Sequence, residues 1–264
     1  MGSATREALA ASKADLSALG TVNLATADEL FAAGRVIGDS SQLRSILSDS
    51  STDPAEKQGA LKAVFGSGLS ATTLGLLSSV VGRRWSSQDD LLAGVEELGL
   101  RAAAESAPKT ANIEAELFAF GTAVSSDAEL ELAVSSKLGS PESKVALVES
   151  LLARKASAQT LSIVRHLVQQ PRGRRIGELL RTAASIVADQ AGLAVATVTS
   201  ATPIAEAQLS RLQKGLASSY GRELKINLVV DPSLIGGVRV QVGDDIIDGS
   251  VSSKLTALRL QLAG

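Results

Sequence analysis

Apolar positions in this chain follow two rhythms. Through residues 1–192 they recur every three or four residues, and beyond residue 193 they alternate. The first is the period of an amphipathic helix and the second that of a half-buried strand. Val195, Thr197 and Thr199 lie in the β-branched run AVATVTSATPI, which predicts a strand ended by Thr202-Pro203. Leu209, Leu212, Leu216 and Tyr220 follow at helical spacing, with Gly221 placed as a C-terminal cap. Leu224, Ile226, Leu228 and Val230 then predict a second strand.

Residues 231–255 read DPSLIGGVRVQVGDDIIDGSVSSKL. Val238, Val240 and Val242 alternate with Arg239 and Gln241, so one face of a strand is apolar and the other wet. Gly243 and Asp244 supply the chemistry of a two-residue hairpin loop. Ile246 and Ile247 continue the return strand. Asp248-Gly249 is expected to end it through the tolerance of glycine for positive φ. Gly236 and Gly237 lack Cβ atoms and suit a bulge or a close backbone approach. Ser250 is a candidate N-cap for a last helix, with Val251, Leu255, Leu258 and Leu262 on one stripe.

The helical region repeats itself. ELFAAG at 29–34 returns as ELFAFG at 116–121, an offset of 116 − 29 = 87. The same offset relates Leu43 to Leu130, Pro54 to Pro141, Lys57 to Lys144 and Thr73 to Thr160. Leu61, Val64 and Phe65 correspond to Val148, Leu151 and Leu152, so the apolar register survives where identity is lost. A one-residue shift then aligns Leu91-Leu92 with Leu179-Leu180. A period this long is a duplicated bundle of short helices, not a solenoid. Asp53 with Pro54 and Glu56 predicts a capping box, and Ser140-Pro141 repeats it without the acid. Pro108, within the small and polar run 106–110, is the expected joint.

The expected fold is mainly α, with a small α/β C-terminal domain. A duplicated helical bundle at 1–109 and 110–192 precedes a strand–helix–strand–hairpin–helix unit at 193–264.

Composition narrows the function. At 264 residues with a net charge of −2, the chain is no electrostatic nucleic-acid binder. It has no cysteine, hence no disulfide, thiolate nucleophile or cysteine metal site, which fits a reducing cytosol. The N-terminus carries early charges and no apolar core, so no secretory signal is expected; Leu9, Leu16 and Leu19 suit an opening amphipathic helix. Residues 66–82 are uncharged, yet rich in Ser, Thr and Gly, and Arg165 interrupts their counterpart. A bundle helix explains both copies and a membrane span explains neither.

Reactive equipment is missing. There is no GxxxxGK[ST], no GxGxxG between strand and helix, and no GxSxG. Asp244, Asp245 and Asp248 could in principle hold a divalent cation, but turn preferences account for them and EF-hand spacing is absent. His166 is the only histidine, so no imidazole dyad or zinc cage can be built; a partly buried structural role is expected. Trp85 is read as a core anchor, with an exposed interface hot spot as the alternative. Arg172, Arg174, Arg175 and Arg181 form the densest basic patch, read as a solvated helix start or else as a contact for an acidic partner. No catalytic, cofactor or metal residue is assigned.

The ordered string of residues 193–264, with the tract from Asp231 through Gly236, Gly237, Gly243, Asp248 and Gly249, resembles the C-terminal signature of the delta subunit of bacterial F-type ATP synthases. That family is the counterpart of the mitochondrial oligomycin-sensitivity-conferring protein. The second helical copy occupies the family's N-terminal position, and the extra first copy resembles the enlarged actinobacterial form. The resemblance implies a non-catalytic stator subunit at the cytoplasmic face of the membrane, peripheral and without direct membrane insertion. It implies as partners an N-terminal helix of an α subunit and the b-type stalk subunits, with no cofactor and no nucleic acid. The residues alone leave two rivals: a helical adaptor binding amphipathic partner helices, and a metal enzyme on the small α/β domain.

Overall fold

A computed structural model describes residues 2–136, 139–243, 245–251 and 253, which form two compact units, Met1–Val187 and Ala188–Gly264. Among the described residues there are twelve helices and four strands.

The first unit is all helical. It opens with α1 (Ser3–Ala18), α2 (Leu24–Asp39), α3 (Ser41–Ser48), α4 (Pro54–Phe65) and α5 (Ala71–Gly82). After α6 (Gln88–Glu105) come α7 (Ile113–Ser126), α8 (Ala128–Ser135), α9 (Pro141–Leu152) and α10 (Ala158–Gln169). Helices α8, α9 and α10 begin and end 87 residues after α3, α4 and α5, since 128 − 41, 141 − 54 and 158 − 71 are all 87. The repeat seen in the sequence is thus a repeat of elements. Most starts are fixed by a side-chain oxygen that takes an otherwise orphaned N–H: Ser70 accepts from Thr73 and Ser157 from Thr160. Pro54 and Pro141 open α4 and α9, where no N–H is needed. Asp53 caps α4 by accepting from Ala55, one residue earlier than the expected capping-box bond.

Helix α6 belongs to both copies. The buried positions of α1 are Thr5, Ala8, Leu9, Ser12 and Leu16; 87 residues on, Leu92, Val95, Glu96, Gly99 and Ala103 of α6 are buried too. Helix α6 packs on α10 as α1 packs on α5. It also closes the first copy: Gly34 of α2 faces Val95 of α6, as Gly121 of α7 faces Leu180 of the next helix, α11 (Ile176–Gln190). A helix serving two bundles is buried on nearly all sides, down to Gly94 and Arg101. The segments expected as bundles at 1–109 and 110–192 consequently share one apolar core, continuous from Ala8 to Val187.

The uncharged stretch 66–82 is broken before Ala71, and no helix among the described residues is long and apolar enough to cross a membrane.

The second unit holds β1 (Ala194–Ser200), α12 (Glu206–Tyr220), β2 (Leu224–Val230), β3 (Val238–Val242) and β4 (Asp245–Asp248), in sheet order β2-β1-β3-β4. Strands β1 and β2 are parallel, joined through α12; β1–β3 and β3–β4 are antiparallel. Ala194, Ala196 and Val198 of the central strand form the core with Leu216 of α12 and Val240 and Val242 of β3. Each large apolar side chain so buried contributes about 1.5–3 kcal/mol. Gly221 stops α12 at φ 67°, a left-handed turn that costs glycine nothing.

Candidate functional site

The signature tract is a built turn system. Val242 pairs with Asp245 and Gly243 has φ 59°, as a hairpin turn there requires; Asp244 lies outside the described residues. Gly236 and Gly237 have φ 84° and 79°. A Cβ on Gly237 would stand 2.5 Å from the Gly249 carbonyl oxygen, so two backbone stretches meet there and only glycine fits. Gly249 differs from expectation: it does not adopt a positive φ. The exit turn is made by a side chain instead, with Asp248 Oδ1 accepting from the Ser250 N–H at 2.9 Å. Its other oxygen takes Arg239, the residue opposite in the ladder, at 3.0 Å. Hydrogen bonds from Ser250, then the Arg239 guanidinium, hold the Asp248 carboxyl below its usual range. At the tract's entry Asp231 accepts from the Ser233 N–H at 2.9 Å. Ser250 accepts from the Ser253 N–H at 3.2 Å, the N-cap bond; Leu255, Leu258 and Leu262 lie outside the described residues.

The first unit holds the most buried polar chemistry. Glu96 of α6 receives Arg172 Nη2 at 2.5 Å, and its two oxygens share Arg174 Nη2 at 2.8 and 2.9 Å. His166 of α10 lies beside them, its Nε2 3.4 Å from Glu96 and its ring stacked on Phe31 at 4.2 Å. Burial would raise the Glu96 pKa; the adjacent His166, the bonds from Arg174 and the charge of Arg172 overcome it and hold the value at about 2. Burial pushes His166 the other way, down from its usual value, against the pull of Glu96. Arg172 stands at φ 48°, a strained conformation that its bond to Glu96 sustains. The basic patch is thereby divided: Arg172 and Arg174 point inward as a clamp between copies, while Arg175 and Arg181 are exposed. Glu96 is hidden from sequence reading because its partners lie 76 and 78 residues away.

Trp85 is a core anchor, 6% exposed, donating its indole N–H to the Val80 carbonyl at 2.8 Å. The repeated hexapeptide carries a role of its own. Glu29 Oε2 accepts from Ser70 N and Oγ at 3.1 and 2.7 Å and from Thr73 Oγ1. Glu116 Oε2 accepts from Ser157 N and Oγ at 2.8 and 2.7 Å and from Thr160 Oγ1 at 2.5 Å. Each carboxylate fastens an early helix to the positive start of a later one.

These groups join elements and leave no reacting pair. Among the described residues no three carboxylates or imidazoles converge on a metal position. A polar cleft of about 640 Å³ beside the starts of α1 and α6 is lined by Ser3, Ser48, Asp49, Arg84 and Ser87, with no histidine to activate a serine.

Comparison with known proteins gives one consistent result. A family model described as "ATP synthase delta (OSCP) subunit" matches residues 99–262, starting within α6. ATP synthase subunit delta of Leifsonia xyli subsp. xyli is 58% identical over the whole of both chains. The same subunit of Streptomyces griseus subsp. griseus is 38% identical, again over the whole of both, and that of Thermobifida fusca 36% over 93% of each. The first helical copy is therefore shared with these relatives. A chain of the Toxoplasma gondii mitochondrial ATP synthase hexamer, 19% identical, covers 62% of this chain and 96% of its own length with a TM-score of 0.40, a likeness too slight to argue from.

Proposed function

Because this chain belongs to the ATP synthase delta (OSCP) subunit family, we propose that it serves as a non-catalytic stator of the proton-translocating F-type synthase. In that role it links the catalytic head to the b-type stalk subunits and resists the torque of the rotating shaft. Its partners are an N-terminal helix of an α subunit and the ends of the b-type helices. It sits at the cytoplasmic face of the membrane through the complex.

Full-length identity to delta subunits carries this reading. The chemistry is compatible: a stator needs broad helical surface and stiffness, and the buried ionic groups described above tie one element to another. Helix-in-groove docking suits such surfaces.

The test is removal and return. Membranes stripped of this chain should keep the ATP hydrolysis of the head and lose proton-driven ATP synthesis, and added chain should restore it. Full synthesis without the chain, or failure of the chain to co-purify with the synthase, would favour a helical adaptor acting elsewhere.

A further inference from the structure

Helix α6 is flanked by α2 of the first copy and α10 of the second, and these two flanks also touch each other. Helix α2 is seated deeply on α6: a Cβ on Gly99 would stand 2.5 Å from the ring of Phe31. Where α2 meets α10, Asp28 accepts from the Ser162 hydroxyl and Phe31 stacks on His166 at 4.2 Å. His166 Nδ1 is buried there without a hydrogen-bond partner, so the stack is fastened by ring contact rather than by a bond from that atom.

The loop that follows α10 crosses this junction. Gln170 Nε2 donates to the Gly34 carbonyl of α2 at 3.3 Å. A Cβ on Gly38, one turn further along α2, would stand 2.3 Å from the same nitrogen. The counterpart of Gly38 at offset 87 is the exposed Ser125 of α7, where a side chain has room. Beyond Gln170 the loop turns through Arg172 at φ 48° and Gly173 at φ 76° and delivers Arg172 and Arg174 to Glu96 of α6. One loop of the second copy is therefore bonded at one end to α2 and at the other to α6. The counterpart of Arg172 at offset 87 is Trp85, whose ring would meet a Cβ on Gly94 of α6 at 2.1 Å. The same place in the repeat thus holds an apolar plug in the first copy and an ionic bond in the second. The plug is part of the core, whereas Arg172 and Arg174 are partly exposed and can exchange Glu96 for water.

We propose that the α10–α11 loop is a latch that fixes the two helical copies at one angle about α6, making the helical unit a stiff lever. With the latch open, α2 parts from α10 while each flank keeps its seat on α6, a hinge within a folded unit. The strained backbone at Arg172 suits this role, because releasing Glu96 also relieves the strain. The latch rests on the contacts described here; the use of its stiffness rests on the function proposed above.

The experiment uses the full chain, which has no cysteine of its own and so takes spin labels only where cysteines are placed. One labelled pair, Val64→Cys with Leu132→Cys, spans the copies on exposed positions of α4 and α8; a second, Val36→Cys with Val64→Cys, lies within the first copy. Electron–electron resonance should give a single narrow distance for each pair. Gln170→Ala cuts the α2 end of the latch and leaves Glu96 paired. Arg172→Gly cuts part of the α6 end with a residue that suits the left-handed backbone. Either variant should broaden the distance between copies into more than one population and leave the distance within the first copy unchanged, with helical dichroism intact. Wild-type width in folded Gln170→Ala, or equal broadening of both pairs, would overturn the latch. In the assembled synthase Gln170→Ala should bind and leave ATP hydrolysis unchanged while proton-driven synthesis falls. Loosened copies with full synthesis would overturn the mechanical use. Failure of the unmodified chain to enter the synthase would instead remove the function proposed above, and the lever with it, while the distances would still decide the latch.

Discussion

Glu116 stands to Ser157 as Glu29 stands to Ser70: one carboxylate oxygen takes both the backbone N–H and the hydroxyl of a helix-capping serine. Each serine caps its own helix while being held by an acid from an earlier one. Local capping and tertiary packing are thus coupled at the same two atoms, twice in one chain.

Replacing either acid should cost a similar amount. Glu29→Ala and Glu116→Ala should each destabilise the helical unit by about 0.5–2 kcal/mol, the range for a lost cap. The double variant should be nearly additive, because the two sites share no partner. Urea unfolding followed by helical dichroism measures this. A loss confined to one of the two would mean that the matched geometry is not matched energetically.

Glu96 should make the first unit sensitive to acid. Its folded pKa of about 2 lies below its ordinary value of 4.5. A depressed pKa means that the ionised form stabilises the fold. That contribution is complete above pH 4.5 and is lost as the pH falls toward 2. Glu96→Gln should lower stability at pH 7 by about 3 kcal/mol, as expected when one partner of a buried ionic cluster is removed. It should also flatten the pH dependence between those limits, measured by denaturant titration at stepped pH.

Gly94 should not accept a methyl group. A Cβ there would enter the ring of Trp85. Gly94→Ala is expected to cost about 1–3 kcal/mol by overpacking. Because Trp85 is the only tryptophan, its fluorescence should shift in the folded variant. An unchanged spectrum and midpoint would show that the ring has room to move.

Two other glycines should respond in opposite directions. Gly59 lies in α4 with open space around its missing Cβ, so Gly59→Ala should stabilise by about 0.5–1 kcal/mol through helix propensity. Gly237, at φ 79° and against the Gly249 carbonyl, should lose about 1–3 kcal/mol as alanine. Thermal unfolding of the two variants tests both signs.

The hairpin is legible in the sequence because Gly243-Asp244 divides two runs whose alternation admits one register. The duplication is legible through the hexapeptide, and Glu29, Glu116, Thr73 and Thr160 already stand at matching places. Their joint role is hidden because a carboxylate reveals its partner only when distant helices meet. Glu96 escapes for the same reason, and the inward turn of Arg172 and Arg174 with it. Gly249 misleads because Asp-Gly suggests a left-handed exit, whereas Asp248 closes the turn with its own oxygen. The stripe Leu61–Val64–Phe65 is one residue too wide: Val64 is 48% exposed, while its neighbours are buried.

The overlap at α6 has a consequence for how this chain can vary. Two copies joined end to end could drift apart independently, or be separated by a cut near residue 110. Copies that interlock through a common helix cannot, because removing α6 from either leaves it one member short. A substitution in α6 must satisfy two neighbourhoods at once, whereas one in α1 answers to a single bundle. In a saturation library screened for folding, α6 should therefore be the least permissive helix of the unit and α1 among the most permissive.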